Sequence, residues 1–206
     1  MSRTVLDKEE RRSQLVDAAI KVFAQKGYRS AAITDIIEAA GVARGTFYLY
    51  FDSKLAVFHA VMDRYFELFQ GVVDKELARS YTNPLMVRAR IRESLMEWFQ
   101  LFAQNKDLAK VVFREANAIE PDFESKVNAM LYTCFSHWQN HITKFQKVGF
   151  IKKGVDPHFL SVIFSGIVLS VVLHYIIPEE KPDLDRIVDQ WLDLLESGIR
   201  TKGWLG

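Results

Sequence analysis

Apolar residues recur every three to four positions along almost the whole chain, which is the period of α-helices. Leu15, Ala19 and Phe23 make one stripe, with Val16, Ile20 and Val22 beside it. Ile33, Ile36, Ile37 and Ala40 make a second, shorter one. No segment alternates convincingly, and no Asn-Gly or Asp-Gly pair marks a hairpin. Gly27, Gly41, Pro84, Pro121, Gly149, Pro157 and Pro178 punctuate the pattern. An all-α chain of about nine helices is predicted. Their expected limits are Lys8–Lys26, Ile33–Ala40, Ala43–Phe51, Ser53–Arg79, Pro84–Gln104, Lys106–Ile119, Asp122–Val148, Pro157–Ile177 and Leu184–Lys202.

The second and third of these helices are separated by Gly41-Val42 alone. Helix, glycine turn and short helix is the layout of a helix-turn-helix, here spanning about residues 32–51. Glycine permits the positive backbone dihedral that a sharp turn needs. Val42 can fill the angle between the helices. Phe47 and Phe51, four apart, can anchor the short helix on the first one. Arg44, Gly45, Thr46, Tyr48 and Tyr50 are left at its exposed end and sides, the part that enters a DNA major groove.

The residues Leu15-Val16-Asp17-Ala18-Ala19, Val22-Phe23, Gly27-Tyr28, Ile36, Ala40-Gly41-Val42, Gly45 to Phe51 and Ser53-Lys54 closely resemble the TetR family of bacterial transcriptional regulators. The resemblance is strong over residues 10–62 and beyond that rests on helix number and length. It implies that Arg44, Gly45 and Thr46 face bases or nearby phosphates. It also implies that Tyr48 and Tyr50 bond the DNA backbone through their hydroxyls, and that Lys54 pairs with a phosphate. Arg44 is the candidate for bidentate reading of a guanine. One departure stands out: the family's usual Thr or Ser cap on the second helix is Ala32 here. Ser30 one turn early is one substitute cap, and Thr34 a substitute phosphate contact; an uncapped helix would lose about 1 kcal/mol.

The remaining 55–206 segment is too long to serve as a DNA reader alone. An N-terminal reader domain (1–54) and a helical effector-binding and dimerisation domain (55–206) are therefore expected. Leu160–Ile177 is apolar nearly all round, unlike the surface helix of a monomer. Its length raises a transmembrane reading. Ser161, Ser165, Gly166, Ser170 and His174 interrupt it, and a helix shared between two subunits is the favoured reading, with no membrane. Ser165, Gly166, Val168, Leu169 and Val172, with Trp191 and Leu195 from the last helix, are the expected dimer contacts. Phe66, Phe69, Trp98, Phe102, Phe113, Phe135, His137 and Trp138 are the candidate lining of a cavity for an apolar or aromatic effector. The alternative is that these rings are simply core.

Composition adds limits more than clues. The chain has 206 residues, 49% hydrophobic and 26% charged, as a folded globular protein has. The net charge is +1, so no strongly basic domain announces a nucleic-acid partner. Residues 1–54 carry 9 Lys and Arg against 7 Asp and Glu, a bias in the right direction only. The N-terminal residues lack a secretory pattern, and Cys134, the single cysteine, excludes an intrachain disulfide. A cytoplasmic location is expected. Cys134, His137 and His141 share one helix face, which raises a metal-responsive regulator as a further reading. The favoured reading has no metal, no cofactor and no catalytic site. It is a homodimeric regulator of transcription, most simply a repressor whose effector tilts the fourth helix and releases operator DNA. A helical carrier of apolar ligands is the reading from another class.

Overall fold

The computed structural model describes residues 8–78, 86–119 and 121–199. Among them the helices are α1 (Lys8–Lys26), α2 (Ile33–Ala40), α3 (Arg44–Tyr48), α4 (Lys54–Ala78), α5 (Val87–Gln104), α6 (Lys106–Ile119), α7 (Pro121–Lys147), α8 (Pro157–Val171) and α9 (Leu184–Ile199). A π-helical turn, Val172–Ile176, continues α8. The all-α expectation holds. The expected limits Arg79, Pro84 and Lys202 lie outside the described residues. The third helix is shorter than expected, because residues 49–51 form a turn that carries Phe51 back into the core.

Contacts divide the chain into two compact units, the first running to Glu67 with Asp107–Glu124, the second being Leu68–Lys106 with the chain from Ser125 onward. Packing thus places the division within α4 rather than at residue 54. The reason lies in the first half of that helix. Phe58 meets Phe23 edge-on at 5.8 Å and Tyr28 at 4.9 Å. Arg64 pairs with Asp17 and donates to Ser13 Oγ at 2.9 Å. Arg114 of α6 donates to the carbonyl of Phe23 at the end of α1. Leu15, Phe23, Ile36, Phe47, Phe58 and Met62 are fully buried. Each such side chain contributes about 1.5–3 kcal/mol of transfer free energy.

In the second unit α5 packs on α9. Arg92 pairs with Asp185 and with Asp189 (2.9 Å), and Arg88 with Asp193 (3.0 Å) and Glu196 (2.9 Å). These pairs are largely exposed and set register more than stability. The apolar centre includes Leu95, Phe99, Ile142, Phe164, Val172, Ile176, Val188, Trp191 and Leu192. Asp156 caps α8 by accepting from His158 N–H at 2.8 Å, with Pro157 in the first helical position.

The π turn corrects the phase of α8. At about 100° per residue, an unbroken α-helix would carry Tyr175 to the inner side and Ile176 outward. The turn adds one residue, closing with the bond from Ile177 N–H to Val172 O at 2.9 Å. Tyr175 is accordingly 61% exposed, and Ile176 is fully buried.

Candidate nucleic-acid interface and effector region

The reader is built on the turn at Gly41. Its φ is +63°, and the turn bonds run from Gly41 N–H to Glu38 O (3.0 Å) and from Val42 N–H to Ile37 O (3.2 Å). Gln14 of α1 donates to the carbonyl of Ala40 at 2.8 Å, fixing the end of α2 on α1. Phe47 is fully buried and pairs with Phe51 at 5.9 Å, so both rings anchor α3 as expected. Arg12 lies over the face of Phe51, 5.3 Å from its centroid.

The opposite side of α3 is open. Ala43, Arg44 and Gly45 are exposed, Tyr48 is 42% exposed, and Thr46 and Tyr50 are half-buried. The Arg44 guanidinium rests 5.8 Å from the centroid of the Tyr48 ring. A Cβ added at Gly45 would meet nothing within 4 Å, so the protein's own packing does not require glycine there. Thr34 is exposed near the start of α2. Leu49, 79% exposed, also belongs to this surface and was missed by sequence reasoning, because an exposed leucine carries no pattern.

Ala32 is the N-cap of α2, and no side chain bonds the free N–H groups there. Ser30 does not supply the cap, so of the two alternatives the uncapped one holds. Instead Asp35, in the first turn, accepts the Ala32 N–H at 2.9 Å and pairs with Lys26 at 2.8 Å. The bond from Ala32 and the Lys26 ammonium hold the Asp35 carboxyl below the usual carboxylate range. The Lys54 ammonium donates to the carbonyls of Tyr28 (2.8 Å), Ala31 (2.7 Å) and Arg29 (3.3 Å), over the Tyr28 ring. An ammonium has three donors, so these bonds make Lys54 a clasp of the α1–α2 loop.

The expected effector-binding rings are divided between the two units. Phe66 and Phe113 belong to the first unit, both half-buried. In the second unit the tilted rings of Phe69 and Trp98 meet with centroids 4.8 Å apart, Phe102 is buried, and Phe135 is half-buried. His137 and Trp138 are buried side by side, ring centroids 6.0 Å apart. Rings that fill one another's gaps leave little void. A cavity of about 10 Å³ lies instead among Ile91, Trp138, Ile142, Phe145, Phe150, Ile151, Phe164 and Leu192, room for a single water. Of the expected set only Trp138 lines it. Cys134 is half-buried, and burial pushes its thiol up to about 12.

The expected dimer contacts also divide. Val172 and Trp191 are buried within their own unit, Trp191 edge-on to Phe164 at 4.3 Å. Gly166 and Leu169 are exposed, while Ser165, Val168 and Leu195 are half-buried. Around Gly166 and Ser170, an exposed apolar face carries Phe159, Val162, Ile163, Ile167 and Leu173. Pro157–Ile176 is long and apolar enough to cross a membrane by length and composition, yet Leu160, Ser161, Phe164, Val172 and Ile176 are buried in the unit.

Residues 15–61 match the family model of bacterial regulatory proteins of the tetR family, and residues 66–198 match the C-terminal region described as YsiA-like. The chain belongs to the TetR family. It is a DNA-binding, ligand-responsive transcriptional regulator, in a family of regulators rather than enzymes. This TetR-family chain is 28% identical over 193 residues to the fatty acid metabolism regulator protein of Bacillus subtilis, covering 92% of the chain and 95% of the relative. It is 25% identical over 197 residues to the transcriptional activator FasR of Mycolicibacterium smegmatis, covering 94% and 85%. Among solved structures it is similar to FadR from Bacillus subtilis in complex with stearoyl-CoA. There the TM-score is 0.69 with 25% identity, covering 91% of this chain and 99% of that one.

Proposed function

We propose that this TetR-family chain is a cytoplasmic homodimeric repressor that leaves its operator when it binds a long-chain acyl-CoA. The observation that carries the effector class is the match, along nearly the full length of both chains, to a fatty acid metabolism regulator. The fold supports an apolar effector, since Phe69, Trp98, Phe102 and Trp138 are buried in the second unit. Functionally, residues 1–54 form the reader, and residues 55–206 serve the effector and the dimer. Arg44 reads a base edge, and Thr34, Thr46, Tyr48 and Tyr50 position α3 on the phosphates. Gly45 lets the duplex approach closely. Lys54 acts through the loop it clasps.

The small volume of the cavity beside Trp138, about 10 Å³, gives the proposed switch its form. An acyl chain seated there would part the helices around it. The bound state therefore differs in packing from the filled one, and the ligand shifts the population by its preference for the opened form. Helix α4 is continuous from Lys54 to Ala78 and is the proposed link between effector and reader. No step of this scheme needs a catalytic residue.

The second copy docks on the exposed face of α8. Gly166 and Ser170 let another helix approach, and the flanking Ile163 and Ile167 supply area to bury. A helix-turn-helix that reads paired half-sites needs such a two-fold arrangement.

The test uses duplexes selected from random DNA by the protein itself, with binding followed by fluorescence anisotropy. Stearoyl-CoA should release the duplex at concentrations where coenzyme A alone does not. An unchanged affinity with stearoyl-CoA would remove the effector assignment while leaving DNA reading intact.

A further inference from the structure

One buried polar cluster belongs to neither the reader nor the exposed face of α8. His137 and His141 stand four apart on α7, so both rings rise from one side of the helix, with centroids 4.3 Å apart. Glu76 comes from α4, its Oε2 lying 3.8 Å from His137 Nε2. All three are buried, at 5%, 4% and 1% exposure for His137, His141 and Glu76. One donor atom from each lies within 4.8 Å of the other two. Neither ring nitrogen of His137 has a hydrogen-bond partner among the described residues. An imidazole left so in a packed interior calls for a bound species. A carboxylate in such a place is paired or coordinates an ion.

We propose that Glu76, His137 and His141 form a site for one divalent transition ion of the zinc class. Two imidazoles and a carboxylate are a donor set that zinc accepts, with a fourth position left for water. Two nitrogen donors disfavour magnesium and calcium, which take oxygen ligands. A tetrahedral ion with bonds of ~2.0–2.2 Å sets its donors about 3.3–3.6 Å apart. The His137–Glu76 separation is close to that spacing, and side-chain rotation brings the remaining donor in. The ion would tie the second half of α4 to α7. The site stands independently of the acyl-CoA reading, and it differs from the Cys134, His137 and His141 set that the spacing raised as an alternative.

The test takes the full-length, untagged chain, stripped with a chelator, and titrates it with zinc chloride in a calorimeter. One zinc per chain and a raised melting temperature are expected. Glu76→Gln and His141→Gln should each weaken zinc binding by at least ~10-fold, the low end of what a lost supporting group costs. The exposed His158→Gln and His174→Gln variants should bind as the parent does. Cobalt(II) should give the strong visible bands of a four-coordinate site. That spectrum is read on the parent chain, so it decides the matter even if a variant fails to fold. Failure of the stripped chain to take up zinc, absence of the cobalt bands, or full-affinity binding by a folded Glu76→Gln variant would overturn the proposal. So would an equal rise in melting temperature with magnesium.

Discussion

Helices α3 and α8 both present side chains that their own units leave uncovered, yet the two faces differ in kind. On α3 the open side holds a guanidinium, a tyrosine and a glycine without steric need. On α8 it holds Phe159, Val162, Ile163, Ile167 and Leu173, and no Asp, Glu, Lys or Arg lies between Pro157 and Ile176. Charged donors with little apolar area suit a polyanion, where each contact displaces counterions. Apolar area around small residues suits another helix that excludes water. The chemistry of an uncovered face thus indicates its partner better than exposure alone does.

The strongest way to break this comparison is to put charge on the apolar face. The double variant Ile163→Glu, Ile167→Glu should sediment as a monomer and lose operator affinity by about 100-fold or more, since the second half-site is then no longer tethered. A variant that remains a dimer would place the interface elsewhere. The reverse operation removes charge from the polar face. Arg44→Ala should cost about 1–3 kcal/mol of operator binding, roughly 5- to 150-fold, with the melting temperature unchanged. Affinities of the two proteins for selected and for unrelated duplexes distinguish base reading from general attraction.

Gly45→Ala sharpens the contrast by moving two properties in opposite directions. Alanine favours a helix interior over glycine by about 0.5–1 kcal/mol, and nothing in the protein obstructs the new methyl group. Thermal stability should rise while duplex affinity falls. The smallest effect belongs to Asp35. Its folded pKa is depressed, so its stabilising contribution is complete above the ordinary carboxylate range and is lost as pH falls through the lowered value. Asp35→Asn should be less stable than the parent near neutral pH, and the gap in urea midpoint should close in acid.

The reader was legible because each of its steps is local. Gly41 admits a positive dihedral, Phe47 and Phe51 repeat at helical spacing, and the limits of α2 follow from the residues beside them. The bonds of Lys54 to the carbonyls of residues 28, 29 and 31 were not legible, because those carbonyls come from backbone more than twenty positions away. Asp35 was overlooked because it bonds backward onto the cap residue instead of forward from it. In α8 a sequence apolar on every side carries no phase, so the inward turn of Val172 could not be separated from the outward turn of Leu169. The histidine pair was visible in the spacing of α7. Its carboxylate was not, because Glu76 reaches it only through tertiary packing.

The π turn ahead of Pro178 gives α8 a spare residue. A variant lacking His174 would close as an uninterrupted α-helix and would still bring Tyr175 to the outside and Ile176 to the inside. Shortening the chain within a packed helix normally rotates everything downstream onto the wrong side. Here the loss would be absorbed, so this segment has slack in length that the rest of the helix lacks.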